Sequence, residues 1–208
     1  VAVRDDAIPA AAAELAPRAG DTGGVVHLSG LTSVAALGPL EAKAPIGSFH
    51  PLQTMPTPEA GAARLAGAWV AVTAGDDELR ARLHRLAASI GATPFDLDDA
   101  SKPLYHAAAA AAANFPLPAL AMASDLFGAA GVPFAAARPL VEAVIANAFD
   151  LGPAAALTGP VARGDVGTVA AQLAAVAARA PEWSESFIAR VADLARLAGR
   201  ESEFEDLT

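Results

Sequence analysis

Three polar side chains share one face of a predicted alanine-rich helix, Pro103–Phe127. Lys102 stands just before this helix, His106 follows four residues later, and Asn114 lies a further eight residues on. Such spacings fall on one side of an α-helix. A lysine at a helix N-terminus opposes the helix dipole at a cost of about 0.3–1 kcal/mol, which a bound anion would offset. Lys102, His106 and Asn114 are therefore the predicted catalytic residues. The alternative for His106 is a hydrogen-bonded structural histidine between two domains.

A second polar group follows a predicted buried strand, Val25–Leu28. In open α/β sheets the carboxyl ends of the strands face the ligand-binding crevice. Ser29 offers a hydroxyl to a ligand there, and Gly30 leaves room for a flat ring to approach the backbone. The alternative is a strand end that only caps the next helix. The candidate cofactor-binding residues are Val3, Arg4, Ser29 and Gly30.

Two turns rich in polar residues are candidate substrate-binding loops. The turn 47–54 follows a short predicted strand and contains His50. A later turn contains Thr158 and Arg163, and an arginine can bind a carboxylate through two parallel hydrogen bonds. A small-molecule carboxylate is therefore the predicted substrate, held by these three residues. Two alternatives remain open: a purely structural turn at His50, and a pairing of Arg163 with Asp165, the predicted N-cap of the next helix.

The sequence lacks a recognisable phosphate-binding glycine loop. Gly20–Gly24 does not have the G-x-G-x-x-G spacing, and it precedes a predicted strand instead of following one. Such a loop is therefore expected outside these 208 residues. The absence of cysteine excludes disulfides and thiolate chemistry. Three imidazoles, His27, His50 and His106, could bind zinc, but their spacing is not diagnostic and no metal is predicted.

Composition indicates a globular chain with a strong helical bias. Of 208 residues, 54% are hydrophobic, 18% are charged and 57 are alanine, which has the highest helix propensity. A formal net charge of -9 without a basic cluster argues against nucleic-acid binding. The longest apolar run, 104–123, is interrupted by prolines and polar residues, so no membrane span is predicted. A cytoplasmic location is expected.

The order of predicted elements changes near residue 99. Before it, short apolar runs alternate with helical segments, which favours an α/β sheet with parallel strands. The predicted strands are Val1–Val3, Val25–Leu28, Ala44–Phe49, Ala68–Thr73 and Thr93–Leu97. Only helices are predicted beyond it, at Pro103–Phe127, Pro133–Asp150, Gly164–Ala180 and Glu182–Ala198. The expected domains are therefore an α/β domain at 1–99 and an all-helical domain at 100–208.

Four motifs, in this order, resemble a bacterial family that joins a Rossmann-like NAD(P)-binding domain to a helical domain. They are His27–Gly30, Gly47–Thr54, Tyr105–Ala108 with Asn114, and Ala156–Asp165. The family's helical domain is similar to the C-terminal domain of 6-phosphogluconate dehydrogenase. The family is also similar to pyrroline-5-carboxylate reductase, ketopantoate reductase and the β-hydroxyacid dehydrogenases. The resemblance implies a partial Rossmann-like parallel sheet followed by a helical C-terminal domain.

The resemblance also implies an activity. It points to an NADP- or NAD-dependent reductase of a small 2-oxo acid or imino acid, with ketopantoate as the preferred substrate and a homodimer formed through the helical domain. The missing glycine loop supports an alternative, a nucleotide-binding or scaffold protein without turnover.

Two departures bear on the helix that follows Lys102, one from the β-hydroxyacid dehydrogenases and one from the family. In the β-hydroxyacid dehydrogenases a helical lysine is followed four residues later by an asparagine; Lys102 matches that lysine, but His106 takes the place of the asparagine. Either Lys102 or His106 is therefore the expected proton donor, and Lys102 acts electrostatically if the donor is His106. Pro116 and Pro118 predict a kink after Asn114.

Overall fold

A computed structural model describes residues 1–20 and 22–208. The chain divides into two compact units, Val1–Phe115 and Pro116–Thr208. The first unit contains the sheet and the helix that begins at Lys102, and the second consists of helices and their connections. The expected boundary between an α/β domain at 1–99 and a helical domain at 100–208 stays a prediction.

Four strands form one sheet in the first unit. They are β1 (Val25–His27), β2 (Ile46–Leu52), β3 (Trp69–Ala74) and β4 (Thr93–Asp96), which lie side by side in that order. β3 is buried along nearly its whole length, as its run of valine and alanine predicts. The predicted fold class, a partial Rossmann-like α/β sheet followed by helices, is confirmed.

The strand directions differ in one respect from the expectation of parallel strands. β1 and β2 are parallel, as are β3 and β4, but β2 and β3 are antiparallel, with Leu52 opposite Trp69. The connection between them therefore returns to the end of the sheet from which it left. Its helix α3 (Pro58–Leu65) buries only Gly61. It has no apolar face with which to cover the sheet, as the crossover of a parallel pair requires.

The predicted strand at Val1–Val3 is wrong, because these three residues form no ladder with the sheet. The α-ammonium group of Val1 donates to the carbonyl oxygen of Val26 at 2.5 Å. One such hydrogen bond at a chain end does not make a strand.

Helix α4 (Asp77–Ser89) covers one face of the sheet. Asp76 is its N-cap, and its carboxylate accepts a hydrogen bond from the backbone N–H of Leu79 at 2.7 Å. The core beneath this helix contains Phe49, Val70, Val72, Leu79, Leu83 and Ala87. A smaller core lies at the two short helices α1 (Ile8–Leu15) and α2 (Gly38–Glu41). Successive residues of a strand face opposite sides, so His50 and Phe95 are left for α5 (Lys102–Ala113) to cover.

The second unit is built around a separate apolar core. Its helices are α6 (Pro116–Ala129), α7 (Arg138–Leu151), α8 (Pro153–Ala156), α9 (Pro160–Arg163), α10 (Val166–Arg179), α11 (Ser184–Ala198) and α12 (Glu201–Phe204). The core residues are Val161, Val169, Val191, Ala195 and Phe204. The predicted helices in this region are confirmed, although three begin later than predicted. Phe134–Ala137 and Pro181–Trp183 form 3-10 turns before α7 and α11, and α10 begins at Val166, after its N-cap Asp165.

The helix is interrupted after Asn114, where the prolines predict a break. Helix α5 ends at Ala113 and α6 begins at Pro116. A proline lacks the N–H that would continue the helix, and it disfavours helical geometry in the residue before it.

The helical stretch Asp99–Ala129 has the length and the composition of a membrane-spanning helix, with a hydropathy of 1.3. Only 6% of its most apolar window is buried inside the protein. This stretch includes α5, α6 and the break between them. The expectation that the protein has no membrane partner stays a prediction.

Candidate functional site

A cleft of about 500 Å³ opens in the first unit between the carboxyl end of β2 and helix α5. Alanine side chains of α5 form much of its surface. The polar residues that line it are His50, Gln53, Thr54, Tyr105, His106 and Asn114. Apolar surface with a few convergent polar groups is typical of a small-molecule site, and the carboxyl end of a strand is where open α/β sheets bind ligands.

A histidine–tyrosine pair joins the sheet to α5 in this cleft. The strand register sets His50, Ala71 and Phe95 in one row across β2, β3 and β4. The small side chain of Ala71 leaves space beside the row for Tyr105. The Tyr105 ring lies edge-on to both neighbours, with centroids 5.6 Å from His50 and 5.9 Å from Phe95. The Tyr105 hydroxyl is 2.8 Å from Nδ1 of His50, so both rings are held in place.

Both members of this pair are uncharged at neutral pH. Burial lowers the pKa of His50, and the positive charge of His106 lowers it further. Asp5 raises this pKa, and Lys102 adds a small lowering effect. Burial raises the pKa of Tyr105 to about 12. At pH 7 the cleft therefore presents a neutral imidazole and a protonated phenol.

His106 and Asn114 line the same cleft and are exposed to solvent. Their predicted position on one face of the helix is confirmed, because both side chains border one space. Together with His50 they are the predicted site residues that the structure brings into the cleft. Their catalytic and binding roles stay predictions.

Gly30 is buried directly against the His50 ring. A Cβ atom at Gly30 would lie 2.7 Å from Cε1, 2.8 Å from Nδ1 and 2.9 Å from Nε2 of His50. The sequence predicted that a flat ring approaches the backbone here, and the ring that does so is an imidazole of the chain itself. Glycine is required because any side chain would displace His50.

Ser29 is buried, and its hydroxyl is fully engaged within the protein. It donates to Asp5 at 2.6 Å and accepts from the backbone N–H groups of Leu31 at 3.1 Å and Thr32 at 2.9 Å. A hydroxyl has one proton to donate and two lone pairs, so no capacity remains for a cofactor. These hydrogen bonds fix the conformation of the loop after β1. The predicted cofactor role of Ser29 stays a prediction.

Lys102 does not line the cleft, because its side chain is only 1% exposed. Its ammonium group donates to the carbonyl oxygen of Thr32 at 2.8 Å and pairs with Asp99 at 3.2 Å. Asp99 also accepts hydrogen bonds from the hydroxyl of Ser33 and from the backbone N–H of Val34. Burial lowers the pKa of Lys102, and Asp99 opposes this effect. The lysine thus ties the start of α5 to the loop after β1, and its catalytic role stays a prediction.

His27 is the other fully buried polar residue near this loop. Its Nδ1 accepts from the backbone N–H of Ser29 at 3.2 Å, so the neutral ring carries its proton on Nε2. Burial lowers the pKa of His27 to about 4, with a further lowering by the charge of Lys102. Among residues 1–20 and 22–208, Nε2 of His27 has no hydrogen-bond partner. We call His27, Ser29 and Lys102, together with the partly exposed Asp99, the buried polar network.

Val3 and Arg4 lie outside both the cleft and the buried polar network. Val3 is 46% exposed. The guanidinium group of Arg4 pairs with Asp6 at 3.2 Å, and both side chains are exposed. Their predicted cofactor contacts stay predictions.

The remaining predicted site residues, Thr158 and Arg163, belong to the second unit. Both are exposed, and Arg163 forms the last residue of α9. Asp165 is the N-cap of α10 as predicted, with its carboxylate accepting from the N–H of Thr168 at 3.0 Å and from its hydroxyl at 2.7 Å. These hydrogen bonds lower the pKa of Asp165. The carboxylate-binding role of Thr158 and Arg163 stays a prediction.

A metal site is not formed by the histidines. In the part of the chain that the structure describes, no three or more His, Asp or Glu side chains are arranged to hold a metal ion. The zinc alternative therefore has no geometric support among the described residues.

Sequence reasoning missed three residues of the cleft: Gln53, Thr54 and Tyr105. All three lie inside motifs that the sequence singled out. Tyr105 is the one tyrosine of the chain, and a lone tyrosine next to a histidine in an alanine-rich helix is the signal that could have found it. Its partner lies 55 residues away in the sequence, so the hydrogen bond itself was not predictable.

Comparison with known proteins gives a family and a fold. Residues 68–192, more than half of the chain, match the family described as Domain of unknown function (DUF2520). No curated protein matches the sequence.

Two solved structures are similar to the whole chain. The protein BF3122 of Bacteroides fragilis, described as a candidate NADP oxidoreductase, is 22% identical with a TM-score of 0.77, over 94% of this chain and 74% of its own. The protein TM1727 of Thermotoga maritima is 24% identical with a TM-score of 0.75, over 97% of this chain and 78% of its own. At these identities the likeness establishes the fold alone.

Proposed function

We propose that this chain, which belongs to the DUF2520 family, is an NAD(P)H-dependent oxidoreductase that reduces the C=O or C=N bond of a small substrate in the cleft between β2 and α5. The observation that carries the proposal is the convergence of His50, Tyr105, His106 and Asn114 on one apolar space at the carboxyl end of β2. The structural likeness to a candidate NADP oxidoreductase supports the same reaction class.

The described residues of the cleft fit one end of a nicotinamide cofactor. Alanine methyl groups offer a surface for a flat ring, and Gln53, Thr54 and Asn114 offer amide and hydroxyl groups for a carboxamide. Lysine and arginine are absent from this lining, so the phosphate groups would be held elsewhere. NADP is preferred over NAD because of the structural neighbour.

The nicotinamide supplies the hydride, and the protein supplies position and protons. His106 is placed at the open side of the cleft, where it can donate a proton to the oxygen or nitrogen that becomes basic during reduction. Asn114, two turns further along α5, orients the substrate through its amide. His50 donates a hydrogen bond to the substrate from the side of the sheet. Lys102 acts as a positioning residue, because it fixes the first turn of α5 to Thr32.

The narrower substrate hypothesis is a small 2-oxo acid or imino acid, and ketopantoate is the first compound to test. Neutral hydrogen-bond donors on the cleft wall, such as the Tyr105–His50 pair and the amide of Asn114, suit a carbonyl oxygen. Thr158 and Arg163 are retained as candidates for carboxylate binding.

We also propose a homodimer formed through the helical unit, in a cytoplasmic protein. Helix α7 buries none of its residues, and Leu140, Phe149 and Leu151 are 67%, 88% and 62% exposed. An unburied helix with large exposed apolar side chains is typical of an interaction surface. Light scattering at micromolar concentration is expected to give twice the mass of the chain, and Phe149→Glu is expected to give a monomer. A monomeric wild-type protein would refute the dimer.

The enzymatic proposal is tested by following NADPH and NADH absorbance with ketopantoate, other 2-oxo acids and cyclic imino acids as substrates. Turnover is expected with NADPH and at least one of these compounds. His84→Ala is the control for histidine variants of the cleft, because His84, on α4, is bonded to Asp96 of β4 and does not line the cleft. Binding of NADPH without turnover of any carbonyl or imine would favour the alternative of a nucleotide-binding protein.

A further inference from the structure

The hydrogen bond between Tyr105 and His50 decides which nitrogen of His50 carries the proton. In a neutral imidazole one nitrogen donates and the other accepts. A phenol is a better hydrogen-bond donor than a neutral imidazole, and an imidazole nitrogen is a better acceptor than a phenol oxygen. Tyr105 therefore donates to Nδ1 of His50 over the 2.8 Å between them, and the proton of His50 stays on Nε2.

The reverse arrangement would leave more groups unsatisfied. If Nδ1 of His50 donated to Tyr105, the phenolic proton and the lone pair on Nε2 would both need partners. Among the described residues, the tyrosine hydroxyl bonds only to His50, and Nε2 of His50 bonds to none. With Tyr105 as donor, only the Nε2–H group still needs a partner.

The Nε2–H group is available to a ligand. Nε2 of His27 is buried and has no hydrogen-bond partner. Nε2 of His50 also lacks a partner among the described residues, but it is not buried, and His50 lines the cleft. Gly30 packs against the Nδ1, Cε1 and Nε2 atoms of the ring and leaves no room there for a side chain. Among residues 1–20 and 22–208, no aspartate or glutamate lines the cleft. Asp5, whose charge raises the pKa of His50, accepts a hydrogen bond from the hydroxyl of Ser29.

We infer that Tyr105 is a positioning residue that fixes His50 as the Nε2–H tautomer, and that the cleft thereby binds the acceptor oxygen of a small carbonyl or carboxylate compound. The tautomer follows from the hydrogen bonding alone. The role of that hydrogen bond in reducing a carbonyl rests on the proposed function.

Long-range proton–nitrogen NMR of the four histidines tests the tautomer directly. Single His→Gln variants assign the signals. His50 is expected as Nε2–H in the wild-type protein at pH 7, and a measurable Nδ1–H population is expected in Tyr105→Phe, which keeps the ring and removes the donor. His84 serves as the internal reference, and its signals should not move. A wild-type His50 in the Nδ1–H form, or an unchanged His50 in folded Tyr105→Phe, would overturn the inference.

Two small probes test the ligand class in the same spectra. Pyruvate carries a carbonyl and a carboxylate, and ethylamine carries a positive charge of similar size. Pyruvate is expected to shift His50 saturably and ethylamine to leave it unmoved. Tyr105→Phe is expected to weaken pyruvate binding about tenfold, equal to about 1.4 kcal/mol. Equal responses to both probes, or unchanged pyruvate binding in folded Tyr105→Phe, would refute the acceptor assignment.

The tautomer of His50 and its response to the two probes can be measured whether or not the protein is a reductase. If NADPH neither binds nor is oxidised while the tautomer and pyruvate results hold, the proposed function fails and the inference stands. If NADPH is oxidised but His50 carries its proton on Nδ1, the inference fails and the proposed function stands. Should Tyr105→Phe not fold, the wild-type tautomer and the two probes still decide.

Discussion

His27 and His50 stand on neighbouring strands of one sheet, yet their surroundings differ in kind. His27 is fully buried in the buried polar network, where protein atoms use nearly every donor and acceptor. His50 is half-buried, has one partner in Tyr105, and keeps a free N–H beside an open cleft. The contrast shows that a polar cluster in a sequence identifies a site only where unused hydrogen-bonding capacity faces an open cleft, since the unpartnered Nε2 of His27 is buried.

The same contrast separates Lys102 from His106, which lie one helical turn apart. Lys102 is 1% exposed and bonded to Thr32 and Asp99, whereas His106 is exposed on the cleft. A group that already has all its partners holds the fold together, and a group with free capacity can act on a ligand. Changes in the two regions should therefore have different effects.

The largest expected effect is on catalysis through His106. In folded His106→Ala, kcat with the best carbonyl substrate should fall roughly 10²–10⁴-fold, the range expected for loss of a general acid. The melting temperature should change little, because the side chain is exposed. Steady-state kinetics and thermal melts on the same preparation measure both. A fully active variant would remove His106 from the mechanism.

Lys102→Met should mainly affect stability. It leaves the carbonyl oxygen of Thr32 and the carboxylate of Asp99 without their buried partner, and loss of one member of a buried pair destabilises by about 3–5 kcal/mol. Because Asp99 is partly exposed, we expect about 3 kcal/mol in urea denaturation. Lys43→Met, at the other lysine of the chain and an exposed position, is the control. Equal stabilities would show that Lys102 is not structural.

Acid should destabilise the protein through His27. Its pKa is about 4 in the folded protein and its ordinary value is 6.5, so the unfolded chain binds the proton more tightly. The contribution of neutral His27 is complete above pH 6.5 and is lost as the pH falls towards 4, by up to about 3 kcal/mol. Asp99 and Asp165 have pKa values lowered below 3.8, so their contributions are lost at lower pH.

Urea denaturation between pH 7 and pH 4 checks this prediction. The loss of stability should be clearly smaller in His27→Gln than in the wild-type protein. The same slope in both proteins would mean that other groups, such as His50, account for the acid sensitivity.

Gly30→Ala should have the smallest effect on stability and a selective effect on the cleft. The new methyl group must displace the His50 ring, and forced repacking of this kind costs about 1–2 kcal/mol. Gly75→Ala, where an added Cβ meets nothing within 4 Å, is the matched control. Denaturation curves and the His50 NMR signals report the two effects. An unmoved His50 ring in Gly30→Ala would contradict the contact.

Local sequence patterns predicted the elements but not their pairing. The strand around Val70 was found because an apolar run followed by a glycine turn is a local signal. The antiparallel pairing of β2 with β3 was missed, because strand direction depends on contacts between segments that are distant in the sequence. The burial of Lys102 was missed for the same reason, since its partner Thr32 lies 70 residues away.

The candidate site was predicted in outline. His50, His106 and Asn114 were selected because polar residues in an alanine-rich region have no packing reason to be there, and they do share a cleft. Ser29 and Lys102 satisfied the same criterion, yet their hydrogen bonds are made within the protein. Sequence alone does not distinguish a polar residue that is bonded internally from one that is free to bind.

The most direct test of the account is NMR titration with reduced nicotinamide mononucleotide, which carries the reactive ring without the dinucleotide's second half. Saturable shifts of the His50 and His106 ring signals are expected, and the signals of His27 and His84 should not move. Shifts confined to His27 or His84, or no shift of any histidine at millimolar concentration, would contradict the assignment of this cleft as the site of hydride transfer.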